Sequence, residues 1–289
     1  MDPILDVLFP VFSIVWLAWL LAPRLQLDLR TLSELSIEIT SPALIFSVLA
    51  GSHPEPARWL ALAGGTLFVS AGTGLAGALW ARLAGWELRA FLLPVMFWNS
   101  GNMGLPMARL ALGPEGLEAA ALVYVTMASF TSSLGIWIAQ GGGGALASLR
   151  SPLLWAGILG LASALSGIEL PRRLLEPLQI LGGAAIPLML INLGIQLRRL
   201  ALSDFSGAAA AVALRMGGGI ACAWLFAGFV GLDRVERGAF LLQAAMPAAV
   251  INVVIAERYG AATGVVASAI VLGTLASPLV IPLVLLAIR

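Results

Sequence analysis

A chain of 289 residues that is 60% hydrophobic and 11% charged, with a mean hydropathy of +0.98, carries more apolar surface than a soluble domain of its size can bury, and so belongs in a bilayer. Its net charge of +1 includes 16 basic side chains, all arginine, set singly or in pairs at the ends of apolar runs, which leaves no electrostatic footprint for a nucleic acid. The absence of lysine excludes a G-x-x-x-x-G-K phosphate loop and Schiff-base chemistry. One histidine (His53) and one cysteine (Cys222) exclude a transition-metal site, and no cofactor is expected.

A helix needs roughly 20 apolar residues to cross about 30 Å of hydrocarbon. Ten such runs follow one another. The first, from about Pro3 to Ala22, has Asp2 and Asp6 but no basic leader or small-residue cleavage site, and reads as a retained span rather than a signal peptide. Span two runs from about Thr31 to Ala50, span three from Ala57 to Ala84, span four from Leu88 to Leu110 and span five from Glu115 to Gln140. Gly141 to Gly144 then open a linker over residues 141–148. After it come span six at about Leu149 to Ile168, seven at Arg172 to Leu197, eight at Phe205 to Gly231, nine at Arg234 to Tyr259 and ten at Ala261 to Ile288. The domain expectation is thus 1–140 for spans one to five and 149–289 for spans six to ten.

Span four cannot be a regular helix. Phe97-Trp98-Asn99-Ser100-Gly101-Asn102-Met103-Gly104-Leu105-Pro106 places two asparagines, two glycines and a proline within ten residues, which removes helix propensity and one backbone donor. A bilayer tolerates such a break only where the freed backbone groups face protein, water or a ligand. The second half echoes the first. Arg89-Ala90-Phe91-Leu92-Leu93 returns as Arg237-Gly238-Ala239-Phe240-Leu241-Leu242, and Asn102 then falls close to register with Asn252. Ser41-Pro42-Ala43-Leu44 likewise answers Ile186-Pro187-Leu188-Met189. Five spans per repeat force the halves into opposite orientations. The expected fold is therefore an all-α integral membrane protein of ten helices in a 5+5 inverted repeat, with the interrupted helices of spans four and nine crossing near the midplane.

The centre of span nine, Gln243-Ala244-Ala245-Met246-Pro247-Ala248-Ala249-Val250-Ile251-Asn252, is broken by Pro247. Half-helix N-termini present unpaired amides and a partial positive charge, for which a carboxylate is the simplest occupant. No Asp or Glu lies between Phe97 and Ala108 or between Gln243 and Ala256, so proton exchange through a buried acid at the crossing has no support.

These paired motifs, with the closing Ala256-Glu257-Arg258-Tyr259-Gly260, resemble the auxin efflux carrier family, which includes the plant PIN carriers and bacterial permeases for malonate, malate and similar carboxylates. The resemblance extends to Val212-Ala213-Leu214-Arg215. It implies a fold related to bile-acid symporters and sodium/proton antiporters. Spans one, two, six and seven would form a scaffold that dimerises, and spans three to five and eight to ten a transport domain that moves against it. Asn99 falls on the asparagine of the plant Pro-Asn-Thr-Leu motif, Gly104 and Pro106 on its Gly-Ile-Pro, and Pro247 on the crossover proline. Trp98 stands where that motif has proline and Asn252 where the plant members have a second proline, and the long cytosolic loop is absent. These departures argue against auxin as substrate and for a bacterial-type permease.

The expected substrate site comprises Asn99, Ser100, Gly101, Asn102, Gly104, Pro106, Pro247 and Asn252. Arg215, Asn192, Gln243 and Glu38 are candidates for coupling or support, Arg215 because a cation inside span eight must face the interior and pair. Gly72-Thr73-Gly74-Leu75-Ala76-Gly77 fits a dinucleotide fingerprint but lacks the strand before it, and reads as close helix packing. The expected function is secondary transport of a small organic anion by an elevator-like movement. The alternative is a sodium/proton-type cation exchanger of the same broad fold. An intramembrane enzyme lacks its constellation: one histidine, no metal cluster and no G-x-S-x-G. Sodium or proton coupling is left open. With the N-terminus outside, the loops carry eight arginines inside and seven outside, Arg215 aside, so charge bias does not set the orientation. The resemblance implies a bacterial inner membrane with both termini outside.

Overall fold

The computed structural model describes residues 4–25, 27–52, 55–142, 147–167 and 170–288. Asp2, His53, Gly143, Gly144 and the Ile168 end of span six lie outside the described residues. Among those described, every regular element is a helix: α1 (Leu5–Leu25), α2 (Leu29–Ala50), α3 (Pro56–Ala84), α4 (Leu88–Met96), α5 (Ser100–Gln140), α6 (Pro152–Ser166), α7 (Arg172–Arg199), α8 (Phe205–Phe229), α9 (Arg234–Ala244), α10 (Ile251–Arg258) and α11 (Thr263–Ala287). Seven of them, α1, α2, α3, α5, α7, α8 and α11, are long and apolar enough to cross a membrane. Large apolar side chains such as Leu75, Phe229 and Leu279 stand exposed, as contact with lipid requires. The chain is an all-helical integral membrane protein.

The helix ends follow from local chemistry. Asp28 caps α2, its carboxylate accepting from the amides of Arg30 (3.1 Å) and Thr31 (3.2 Å) and from the Thr31 hydroxyl (2.6 Å). The hydroxyl and then the two amides hold this carboxyl below the usual aspartate range. α9 starts with a reciprocal capping box between Asp233 and Glu236, and Arg58 at the head of α3 bonds Asp233 at 2.8 Å. α3 ends on Gly85 in the left-handed conformation, which costs no steric penalty without a Cβ. Gly113 adopts φ 73°, ψ −158°, a region closed to other residues, and with Pro114 it bends α5 into two pieces.

Two groups of helices pack most extensively among themselves. α1 and α2 lie on α7, and α2 also packs on α6. α3 lies on α4, α5 and α8, while α9 packs on α5 and α8 on α11. The glycines of the apparent dinucleotide fingerprint serve this packing. A Cβ on Gly74 would meet the Met96 side chain at 2.8 Å, and one on Gly77 would meet Val95 at 3.0 Å, so α3 and α4 approach through backbone as small residues allow in a bilayer. The largest fully buried side chains include Trp98, Arg215, Phe91, Phe97 and Phe240, all on the segments in or next to the two interruptions or packed against them.

Candidate functional site

α4 stops at Met96 because Phe97 and Asn99 leave helical geometry, and α9 stops at Ala244, three residues before Pro247, which has no amide hydrogen to continue the ladder. The two extended segments meet side by side. Trp98 and Ala248 form an isolated antiparallel β-bridge, flanked by hydrogen bonds from the Asn99 amide to the Pro247 carbonyl (2.8 Å) and from the Ala249 amide to the Phe97 carbonyl (3.0 Å). Each interruption thus satisfies the other's backbone, the condition for irregular chain inside hydrocarbon.

Side chains reinforce the junction. The Asn252 amide donates to the Phe97 carbonyl at 2.8 Å, and the Gln243 amide donates to the Ser100 carbonyl at 3.2 Å. Both residues are fully buried. Arg215, 1% exposed, projects from α8 to the point where α4 and α9 end. Its Nη1 donates to the carbonyls of Val95 (3.1 Å) and Met96 (3.5 Å), and its Nη2 to that of Ala244 (3.1 Å). Its guanidinium lies over the Trp98 ring, 4.5 Å from the centroid. Two helix C-termini, each with roughly half a negative charge, therefore converge on one fixed cation. Gly219, one turn on, leaves room for it: a Cβ there would fall on Arg215 Nη2 and the Ala244 carbonyl. The sequence leads one to look for an acidic partner; the partners are main-chain carbonyls.

The expected substrate residues gather here. Asn99 and Ser100 are buried, Asn102 is half-buried, Gly101 and Gly104 lie in the wide π-helical turn that restarts the helix as α5, and Pro106 follows at the head of its α-helical stretch. Pro247 packs against α11 at Gly273, where a Cβ would approach it at 3.0 Å. Buried donors without a protein acceptor include Asn99 Nδ2, Trp98 Nε1 and Arg215 Nε, and the buried acceptors Gln243 Oε1 and Asn252 Oδ1 are also unmatched. Unmatched buried polar atoms at this density are expected of a place that receives water or a ligand.

The supporting candidates divide. Gln243 and Arg215 belong to the junction. Asn192 sits on α7, which packs on the Ser100–Gly104 turn, but its side chain is engaged with Ser33 (3.1 Å) and Gln196 (2.8 Å), an interhelical tie between α7 and α2. Glu38 is exposed on α2 and does not join the group. Two contributors escaped the sequence. Tyr124 packs its ring on Gly101, where a Cβ would meet it at 2.6 Å, and the Ser70 hydroxyl donates to the Met96 carbonyl at 3.0 Å. Neither lies in a motif; each depends on how a neighbouring helix is rotated.

Gly104 gives a sharp test of the packing. A Cβ there would overlap Gln243 Oε1, so Gly104→Ala is expected to lower stability by about 1–3 kcal/mol, the usual cost of overpacking. The thermal midpoint in detergent reads it. Gly217→Ala, where a Cβ meets nothing within 4 Å, should leave the midpoint unchanged or raise it.

Comparison with known proteins places the chain among membrane transporters. Residues 144–285 match the family described as membrane transport protein. The chain is 30% identical over 277 residues to an uncharacterized transporter of Methanothermobacter thermautotrophicus, covering 89% of this chain and 88% of that one. A second uncharacterized transporter, from Methanocaldococcus jannaschii, is 28% identical over 208 residues, 68% of this chain and 67% of its own. With its paired interruptions joined at one bridge, the chain is a member of the auxin efflux carrier family of membrane transport proteins.

Proposed function

We propose that this protein is a secondary transporter of a small organic anion, a carboxylate of the malonate, malate or auxin-like kind, working by elevator-type alternating access. The observation that carries the reading is the fixed guanidinium of Arg215 between two helix C-termini, beside unmatched buried donors and with no acid in either interruption. A guanidinium with an unmatched Nε, beside the spare donors of Asn99 and Trp98, suits a carboxylate. The same feature weighs against the cation exchanger, because the place where two negative helix ends would draw a metal ion or proton is occupied by a side chain. The crevice beside Arg215 on the α8 and α11 side has no room for a water molecule, whereas Asn102 is half-exposed; a ligand would approach from the Asn102 side, where α7 faces the turn.

In this reading the chain crosses ten times. α4 with the first piece of α5 makes span four, the rest of α5 span five, α6 span six, and α9 with α10 span nine; the bend at Gly113 and the two helix restarts support that count. Spans one, two, six and seven form the scaffold, through which two copies pair, and spans three to five and eight to ten the moving body. The two groups of closely packed helices support this division. Both termini lie outside a bacterial inner membrane.

Uptake of labelled malonate, malate and indole acetate into proteoliposomes tests the proposal, with and without a sodium or proton gradient. One or more of these anions should accumulate above protein-free vesicles and raise the thermal midpoint of the purified chain. Sodium-driven proton movement without any anion transport would overturn it.

A further inference from the structure

We infer that Tyr124 is a positioning residue for transport, one that ties the Ser100–Gly104 turn of the crossing to the register of the moving body against the scaffold. The inference rests on the division of helices proposed above. The two helix groups meet mainly through α5: α1, α2 and α6 pack on its helical length, and α7 packs on its opening Ser100–Gly104 turn. Tyr124 lies on that helix, half-buried, with a neighbour on each side. Its ring covers Gly101, where a Cβ would meet Cε2 at 2.6 Å. Its hydroxyl faces the Ser41 hydroxyl of α2, across the boundary between the groups.

Ser41 is prepared for such a partner. A hydroxyl on a membrane helix commonly returns to the carbonyl one turn back on its own helix, as those of Thr66, Thr126, Ser129, Thr131 and Ser277 do here at 2.7–2.9 Å. That of Ser41 does not. The residue is 1% exposed, and its Oγ stands short of a full hydrogen bond to any group. Nothing on its own helix holds it back from Tyr124, and a rotation of the Ser41 side chain completes the bond. Leaving a buried hydroxyl unmet costs more than one bond contributes, which favours that closure. Ser41 also follows directly on a π-helical turn, Ser36–Thr40, and its amide bonds back five residues to Ser36, a widening of the helix that recurs at functional sites. Beside Tyr124 the boundary is tight, since a Cβ on Gly157 of α6 would meet the Val125 side chain at 2.8 Å. When α5 slides past α2 the two hydroxyls must part, and the ring that moves with one of them carries Gly101. A hydrogen bond between membrane helices shifts an equilibrium by about threefold.

The test needs no substrate. Asn102→Cys is placed in a Cys222→Ser background, and the purified full chain in detergent is alkylated with a water-soluble maleimide. Tyr124→Phe and Ser41→Ala each remove one hydroxyl and leave the packing in place. Either should raise the alkylation rate at position 102 about threefold, because the turn spends more time away from α7, and the two together should raise it no further, since a pair is lost only once. Cys222 in the chain that keeps it is the control. It packs within the moving body, where a Cβ on Gly72 would meet its Sγ at 2.9 Å, and its own alkylation rate should not change in either variant. Where an anion accumulates, both variants should raise the maximal uptake rate about threefold and leave the affinity read from the ligand-induced thermal shift as it was. An unchanged rate at position 102, additive effects in the double variant, an equal rise at Cys222 or a loss of ligand affinity would each overturn the inference. A parent that takes up no anion but gives the alkylation result loses the proposed function and keeps this contact; anion uptake with unchanged alkylation does the reverse.

Discussion

Arg215→Gln is expected to abolish anion uptake and to lower stability by about 3 kcal/mol, the low end of what removing one member of a buried charged interaction costs. The guanidinium serves three carbonyls, those of Val95, Met96 and Ala244, and a glutamine amide can reach at most one end of that fork. The Met96 carbonyl keeps its bond from Ser70, but the other two lose their charged donor at the ends of their helices. Binding loses a further contribution. For a carboxylate seated roughly 8 Å away at an effective dielectric of about 20, one unit charge is worth about 2 kcal/mol, or about thirtyfold in affinity. Arg215→Lys keeps the charge and loses the fork, so it separates the two effects: the thermal midpoint should fall nearly as far as in Arg215→Gln, while part of the ligand-induced shift remains. A glutamine variant that transports at the parental rate would remove Arg215 from the mechanism.

Asn252→Ala should show the opposite balance, a small cost in stability and a loss of uptake of about tenfold or more. The Phe97 carbonyl that Asn252 serves at 2.8 Å also accepts from the Ala249 amide at 3.0 Å, so truncation does not strand it. The expected stability cost is therefore about 1 kcal/mol, that of one hydrogen bond. Asn252 Oδ1 is buried and unmatched, and the side chain sits at the start of α10, so its loss removes a polar group from the junction itself. Asn252→Asp goes further, placing beside a carbonyl the acid that the junction otherwise lacks; uptake of an anion should be lost entirely. Combining Asn102→Ala with Asn252→Ala gives the strictest form of the test. Unchanged rate and affinity in that double variant would show that the asparagines do not touch the substrate, even where Arg215 matters.

The interruption at Phe97 to Pro106 was legible because proline and glycine act locally: they remove propensity and donors whatever surrounds them. Its pairing with Pro247 was legible because Phe91-Leu92-Leu93 is echoed by Phe240-Leu241-Leu242, which brings Asn102 and Asn252 close to register. What joins the pair was not. The antiparallel bridge uses the backbone of Phe97, Asn99, Pro247 and Ala249, and backbone partners leave no mark on residue type. Arg215 illustrates the same gap. A buried cation announces that it needs partners, but carbonyls at two helix ends are invisible in a sequence, where an acid would have been visible. Tyr124 over Gly101 depends on the rotation of α5 after the Gly113 bend, and no periodicity reports that angle. The small-residue run at Gly72 to Gly77 was read by exclusion, and Met96 and Val95 supply the surfaces it packs against.

The bridge at Trp98 and Ala248 also sets a timetable for biosynthesis. The Phe97 carbonyl and the Asn99 amide are made early, and their partners Ala249 and Pro247 follow about 150 residues later. At synthesis rates of roughly 5–20 residues per second, the Phe97 to Asn99 segment waits on the order of 10–30 s with its backbone edge unpaired. During that interval the groups must be shielded by water, by the insertion machinery or by another copy's vacant edge. Assembly of the two halves is thus the step at which a nascent chain either closes on itself or pairs wrongly with its neighbour.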